Sequence, residues 1–142
     1  MARTPGPAAE PSTGPGRHEA RERAISLLYE ADSRGFGAEA LLETLPLDPD
    51  PYAIAALRGI DAARAALDAL IERHSDGWSV TRMPMVDRAI LRLSTWELVD
   101  RSDVPTAVVI DEAIELAKDY STERSPAFIN GVLDAVAREA RP

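Results

Sequence analysis

The sequence predicts an all-α fold of about six or seven helices packed as bundles, on three observations. Apolar residues recur at helical period, as in Val109, Ala113, Leu116, Ala117 and Tyr120. No segment alternates apolar and polar residues in the manner of a half-buried strand. Aromatics make up only 5% of the chain while Ala, Leu and Glu are plentiful, which favours helix over sheet.

Taken in order, residues 1–16 are rich in Pro, Gly and small residues and predict a disordered tail, with one domain over 17–142. Residues 18–32 predict a helix with Ala24, Ile25, Leu28 and Ala31 on its apolar stripe and Gly35 as its stop. Arg17, Arg21 and Arg23 stand at its start, where the helix dipole opposes cations. Two readings stay open there: a role outside the fold, or a solvated helix end balanced by Glu19, Glu22 and Glu30. A short helix is expected over 36–45. Asp50 as N-cap with Pro51 at the first position then predicts one long helix to about residue 74. Ile54, Leu57, Ile60, Leu67, Leu70 and Ile71 face inward along it, and His74 at its end reads as a cap rather than a ligand. Residues 78–82 form a connector or one helical turn.

Pro84 opens a helix to about residue 100. Val86, Ala89, Ile90, Leu93 and Trp96 line one face and Leu91 and Leu98 another, so this helix is expected to be central. Pro105 opens the next, which runs to Tyr120. After a polar interval at 121–124, Ser125 as N-cap and Pro126 restart a last helix along Ile129, Val132, Leu133 and Val136.

Function classes narrow by elimination. The chain has no cysteine, hence no thiol chemistry, and no run of membrane-spanning length. Its first residues lack the apolar core of a signal peptide, so a cytoplasmic protein is expected. There is no Gly-rich phosphate loop and no HExxH; His18 and His74 fall on different elements, with nothing arranged as metal ligands. Ser121 and Ser125 have no base at a recognisable spacing, and Asp111, Glu112 and Glu115 serve the dipole of their helix. No cofactor, metal or catalysis is expected; the chain reads as a binder.

The net charge of −8 argues against broad, charge-driven nucleic-acid binding but leaves room for a local patch. Lys118, Tyr120, Arg124 and Phe128 supply one around the 121–124 interval: two cations and two aromatics, which suits single-stranded nucleic acid. Tyr120 completes an apolar stripe, so burial and exposure are both open for it. Phe128 lies off its helix's stripe, which favours an exposed ring.

The run RSDVPTAVVIDEAIELAKDYSTERSPAFINGVLDAV, preceded in order by RERAISLLYEAD and AILRLSTWEL, resembles the NusB family of transcription antitermination factors. The resemblance implies two helical subdomains packed across each other and a protein that binds the boxA RNA of ribosomal RNA leaders. It also implies the basic partner NusE, a small-subunit ribosomal protein, and assembly with RNA polymerase and other Nus factors. An arginine-rich N-terminal motif contacts RNA in the family, and it falls here on Arg17, His18, Glu19, Arg21 and Arg23. The family's aromatic contacts fall on Tyr120 and Phe128, and a lysine on Lys118. The NusE surface falls on Tyr29 and Asp87. His18 and Glu19 interrupt what many members carry as consecutive arginines, so weak RNA binding alone and stronger binding with NusE are expected.

Two other readings stand beside this one. NusB-like domains also occur fused to rRNA cytosine methyltransferases, a reading set aside because no catalytic domain follows here. The other is a non-catalytic protein–protein module, a dimer or NusE partner, with weak or lost RNA binding. Homodimerisation, known for some members, is decided by no residue of the sequence.

Overall fold

The computed structural model describes residues 17–142; the tail expected at 1–16 lies outside the described residues. Among the described residues there are seven α-helices and no strand: α1 (Arg17–Arg34), α2 (Ala38–Glu43), α3 (Pro51–Ala62), α4 (Arg64–Arg73), α5 (Met85–Asp100), α6 (Thr106–Tyr120) and α7 (Ser125–Ala140). A single 3-10 turn, Val80–Arg82, connects α4 to α5. No described helix is long and apolar enough to cross a membrane.

The punctuation follows local chemistry. Gly35 ends α1 in the left-handed region at φ 69°, a conformation that costs a β-carbon-free residue little. Asp50 caps α3 by accepting the Tyr52 N–H at 2.7 Å, with Pro51 in the first turn. The expected long helix over 51–74 is instead two, α3 and α4, broken at Ala63 (φ −110°, ψ 16°). Ala62, Ala63 and Arg64 are all good helix formers, so propensity gives no sign of the break and tertiary packing decides it. Ser125 is the first residue of α7 rather than its cap; its buried hydroxyl accepts the Thr122 N–H at 3.2 Å and closes the α6–α7 turn.

Helix α5 is central, as its two apolar faces predict. Every residue from Ala89 to Leu98 is buried, and α5 packs against α1, α3, α4, α6 and α7. Helices α1, α2 and α3 pack on one another, as do α6 and α7, and α5 contacts both groups. Several polar groups of α5 are answered by other helices or by the C-terminus, though the buried Thr95 hydroxyl has no hydrogen-bond partner among the described residues. Arg92 forms a two-pronged pair with Asp68 of α4, 2.9 Å at both contacts. Arg141, just past α7, donates to the carbonyls of Glu97, Leu98, Arg101 and Val104 at 2.7–3.0 Å. It thereby satisfies the orphan carbonyls at the end of α5. At the α3–α5 crossing, Gly59 lets the Trp96 indole approach so closely that an added β-carbon would lie 2.3 Å from Nε1.

Candidate nucleic-acid interface

The residues singled out by sequence divide into two sets, separated by burial. Arg21 is 2% exposed. Its Nε and Nη2 donate to Glu97 of α5 at 3.0 and 2.9 Å, and the Tyr52 hydroxyl of α3 donates to the same carboxylate. Burial pushes the Tyr52 phenol well above its usual range and the Glu97 charge adds to that, so the phenol stays a neutral donor. Arg17 is also buried, its Nη1 3.6 Å from Asp50 and its guanidinium 5.1 Å from the Tyr52 ring centroid. The expectation that Arg17 and Arg21 present cations to RNA is therefore corrected. These two side chains join α1 to α3 and α5, which also explains cations placed against the dipole of α1. Of the three arginines only Arg23 is exposed.

Asp87 needs the same correction. It is 3% exposed and accepts a short hydrogen bond from the Ser121 hydroxyl, so it is not a free carboxylate for a partner. Ser125 donates to Ser121 at 3.0 Å, and this hydroxyl chain pins the α6–α7 turn onto the first turn of α5.

That pinned turn presents the second set. Lys118 and Arg124 are exposed, Tyr120 is 52% exposed and Phe128 is half-buried. The open question about Tyr120 is settled in favour of exposure. Its hydroxyl donates to Glu22 of α1 at 2.5 Å, which ties the ring to α1 and raises the phenol pKa. Helical periodicity on its own does not separate the last residue of a stripe from the core. His18 is partly exposed, its Nδ1 2.9 Å from Glu112 Oε1, and that bond raises the imidazole pKa above 6.5.

The two aromatics do not share one surface pocket. Phe128 lines a groove with Trp78, Met83, Pro84, Asp87 and Arg124. Tyr120 lines another with Glu22, Ile25, Tyr29 and Val86. Val86 and Asp87 are successive residues in the first turn of α5, so both grooves border that turn. Tyr29, 44% exposed, thus sits in the same groove as Tyr120. Sequence reasoning missed Trp78, which is 51% exposed at the rim of the Phe128 groove. A large aromatic directly after Gly77 and outside any stripe was the signal that pointed to it.

The family model described as the NusB family matches residues 18–138. The chain belongs to the NusB family. Solved structures agree in fold and extent. NusB from T. maritima is 39% identical, with 89% of this chain and 93% of that chain covered and a TM-score of 0.79. The solution structure of NusB from Aquifex aeolicus is 30% identical, covering 88% and 89% of the two chains at a TM-score of 0.71. A complex described as antitermination factors NusB and NusE with dsRNA contains a chain 27% identical to this one. It covers 87% of this chain and 96% of its own at a TM-score of 0.73. All seven described helices thus belong to the NusB fold.

Proposed function

We propose that this chain is a non-catalytic, cytoplasmic RNA-binding antitermination factor that acts with NusE on boxA RNA of rRNA leader transcripts, within the RNA polymerase complex that other Nus factors share. The observation that carries the reading is the α6–α7 turn, which holds Lys118, Tyr120 and Arg124 out in solvent with Phe128 beside them. Ring faces take bases of any sequence and the cations neutralise phosphates. Arg23 and His18 extend the surface from α1. Family membership and the NusB–NusE–dsRNA relative support the partner class. The NusE contact is proposed for the groove of Tyr29 and Val86, with Asp87 holding the turn behind it rather than touching the partner.

An acidic protein with two of its N-terminal arginines buried offers few phosphate contacts, so NusE supplies much of the positive field. The same burial favours the second reading, a protein-interaction module with weak RNA binding. Fluorescence anisotropy of a boxA-like RNA across a salt series, with and without NusE, separates the two. Salt-dependent binding that tightens with NusE supports the first. Capture of NusE with no RNA binding in either condition replaces it with the second.

A further inference from the structure

We propose that His18, Glu22 and Asp119 form a binding site for a divalent transition-metal ion of the zinc class. One donor atom from each of the three lies within 4.8 Å of the others. The sequence alone shows no metal-ligand spacing; the fold makes it by laying the first turns of α1 beside the last turn of α6. His18 and Glu22 are one turn apart on the same face of α1, with Nε2 3.6 Å from Glu22 Oε2. Asp119 comes from α6, so the ion would tie the two helices together.

The surroundings of these donors suit ligation better than those of a chance surface cluster. Glu112, outside the triad, takes the Nδ1 proton of His18 at 2.9 Å. That fixes the tautomer whose Nε2 lone pair is free to bind metal, the carboxylate–histidine arrangement that supports metal-bound imidazoles. Tyr120 likewise orients the Glu22 carboxylate through its 2.5 Å hydrogen bond. One imidazole nitrogen with two carboxylates selects zinc, cobalt or manganese over calcium and magnesium, which take oxygen ligands. Tetrahedral zinc with bonds of about 2 Å puts its ligands roughly 3.3 Å apart. Closing the gaps therefore takes at most roughly 1.5 Å of side-chain movement.

That movement is available because Asp119 is exposed and the His18 and Glu22 side chains are 36% and 31% exposed. Their exposure also leaves the fourth coordination position open to solvent. His74 makes a contrast: its Nε2 is taken up by Glu139, and Arg73 shares that carboxylate, so a cation already occupies the place of a metal. A bound dication would cancel the two carboxylate charges next to Tyr120, at the edge of the surface proposed for RNA. The site does not depend on that proposal, because metal binding is measured on the protein alone.

The test is isothermal titration of the full chain with zinc chloride, alongside proton NMR of the two imidazoles. The expected result is one saturable zinc per chain, with the His18 resonances shifting up to one equivalent and those of His74 unmoved. His18→Gln and Asp119→Asn, both at positions facing solvent, should each weaken zinc by more than about tenfold, and His74→Gln should leave it unchanged. Magnesium chloride should not compete. The proposal is overturned if the wild-type chain shows no saturable zinc, if the His74 resonances shift instead, or if His18→Gln binds as the wild type does.

Discussion

At the start of α1 a guanidinium, a phenol and a carboxylate from three helices meet out of water: Arg21 is 2% exposed, Glu97 1% and Tyr52 is fully buried. At the α6–α7 turn two cations and a phenol, Lys118, Arg124 and Tyr120, stand in solvent. Both regions place cations near helix ends and both bring an aromatic beside them. The difference is whether an element distant in sequence supplies a buried counter-charge. Glu97 lies 76 residues from Arg21 and consumes its charge within the fold. Glu22, which meets Tyr120 from 98 residues away, takes only the hydroxyl and leaves the ring face open. Residue type does not assign a cation to fold or to ligand; its distant partner does.

The comparison breaks most visibly at Arg21. Replacing it with Met leaves Glu97 charged, buried and short of its main partner, which should cost about 3–5 kcal/mol of folding stability in urea denaturation. Arg21→Met combined with Glu97→Gln should be milder than Arg21→Met alone, because the stranded charge is gone while Tyr52 keeps an acceptor. Arg124→Ala, by contrast, should leave the urea midpoint nearly unmoved, as surface substitutions away from special features do. If the two arginine variants unfold alike, burial is not what separates the regions.

On the exposed side the effect moves from stability to binding. Tyr120→Ala and Phe128→Ala should each weaken boxA-like RNA by roughly 1–3 kcal/mol in anisotropy, the worth of one stacked base. Tyr120→Phe keeps the ring and loses only the bond to Glu22, so it should retain most of the affinity. Lys118→Ala and Arg124→Ala should each flatten the salt dependence by about 0.7 in the log–log slope. An Ala variant of Tyr120 that binds RNA as tightly as the wild type would remove that ring from the interface.

Two glycines sharpen the same contrast. Gly59 and Gly131 both sit inside helices, where Ala gains about 1 kcal/mol of propensity. At Gly59 a β-carbon would meet the Trp96 indole at 2.3 and 2.9 Å, whereas at Gly131 nothing lies within 4 Å. Gly59→Ala should therefore destabilise, the overpacking cost of about 1–3 kcal/mol exceeding the gain in propensity. Gly131→Ala should stabilise by up to about 1 kcal/mol. Thermal melts of the two variants against wild type give the opposite signs or refute the packing.

Most of the fold was legible because its signals are local. The Asp50–Pro51 start, the Gly35 stop, the two-faced pattern of α5 and the stripes of α6 and α7 all lie within a turn or two of the elements they define. The break at Ala63 was not, since its residues favour continuing the helix. For the candidate site, the nearness of Lys118, Tyr120, Arg124 and Phe128 to one turn was readable because that short turn joins their helices, but their division between two grooves was not. The burial of Arg17, Arg21 and Asp87 was not, because their partners come from other elements. The meeting of His18 with Asp119 was invisible for the same reason, and so was Arg141 as the cap of α5.

A third ion pair tests the comparison between its extremes. Arg73 and His74, at the end of α4, share the Glu139 carboxylate of α7: Arg73 Nη2 lies 2.6 Å from Oε2 and His74 Nε2 2.8 Å from Oε1. The hydrogen bond from Arg73, then that from His74, holds the Glu139 carboxyl down at about 2. A folded-state pKa below the unfolded value of 4.5 means that this clasp contributes stability above pH 4.5 and loses it as pH falls from there towards 2. The chemistry matches Arg21–Glu97, but all three side chains reach solvent, where pairs are screened and worth little. A carbon-detected NMR titration of Glu139 at low salt should place its midpoint well under the usual carboxylate range, and molar salt should move it back up. Arg73→Gln should raise the midpoint further than His74→Gln, while the urea midpoint at neutral pH barely changes in either. A large loss of neutral-pH stability in Arg73→Gln would mean that solvent exposure does not weaken this pair, and the division between buried and exposed cations drawn from Arg21 and Arg124 would fail with it.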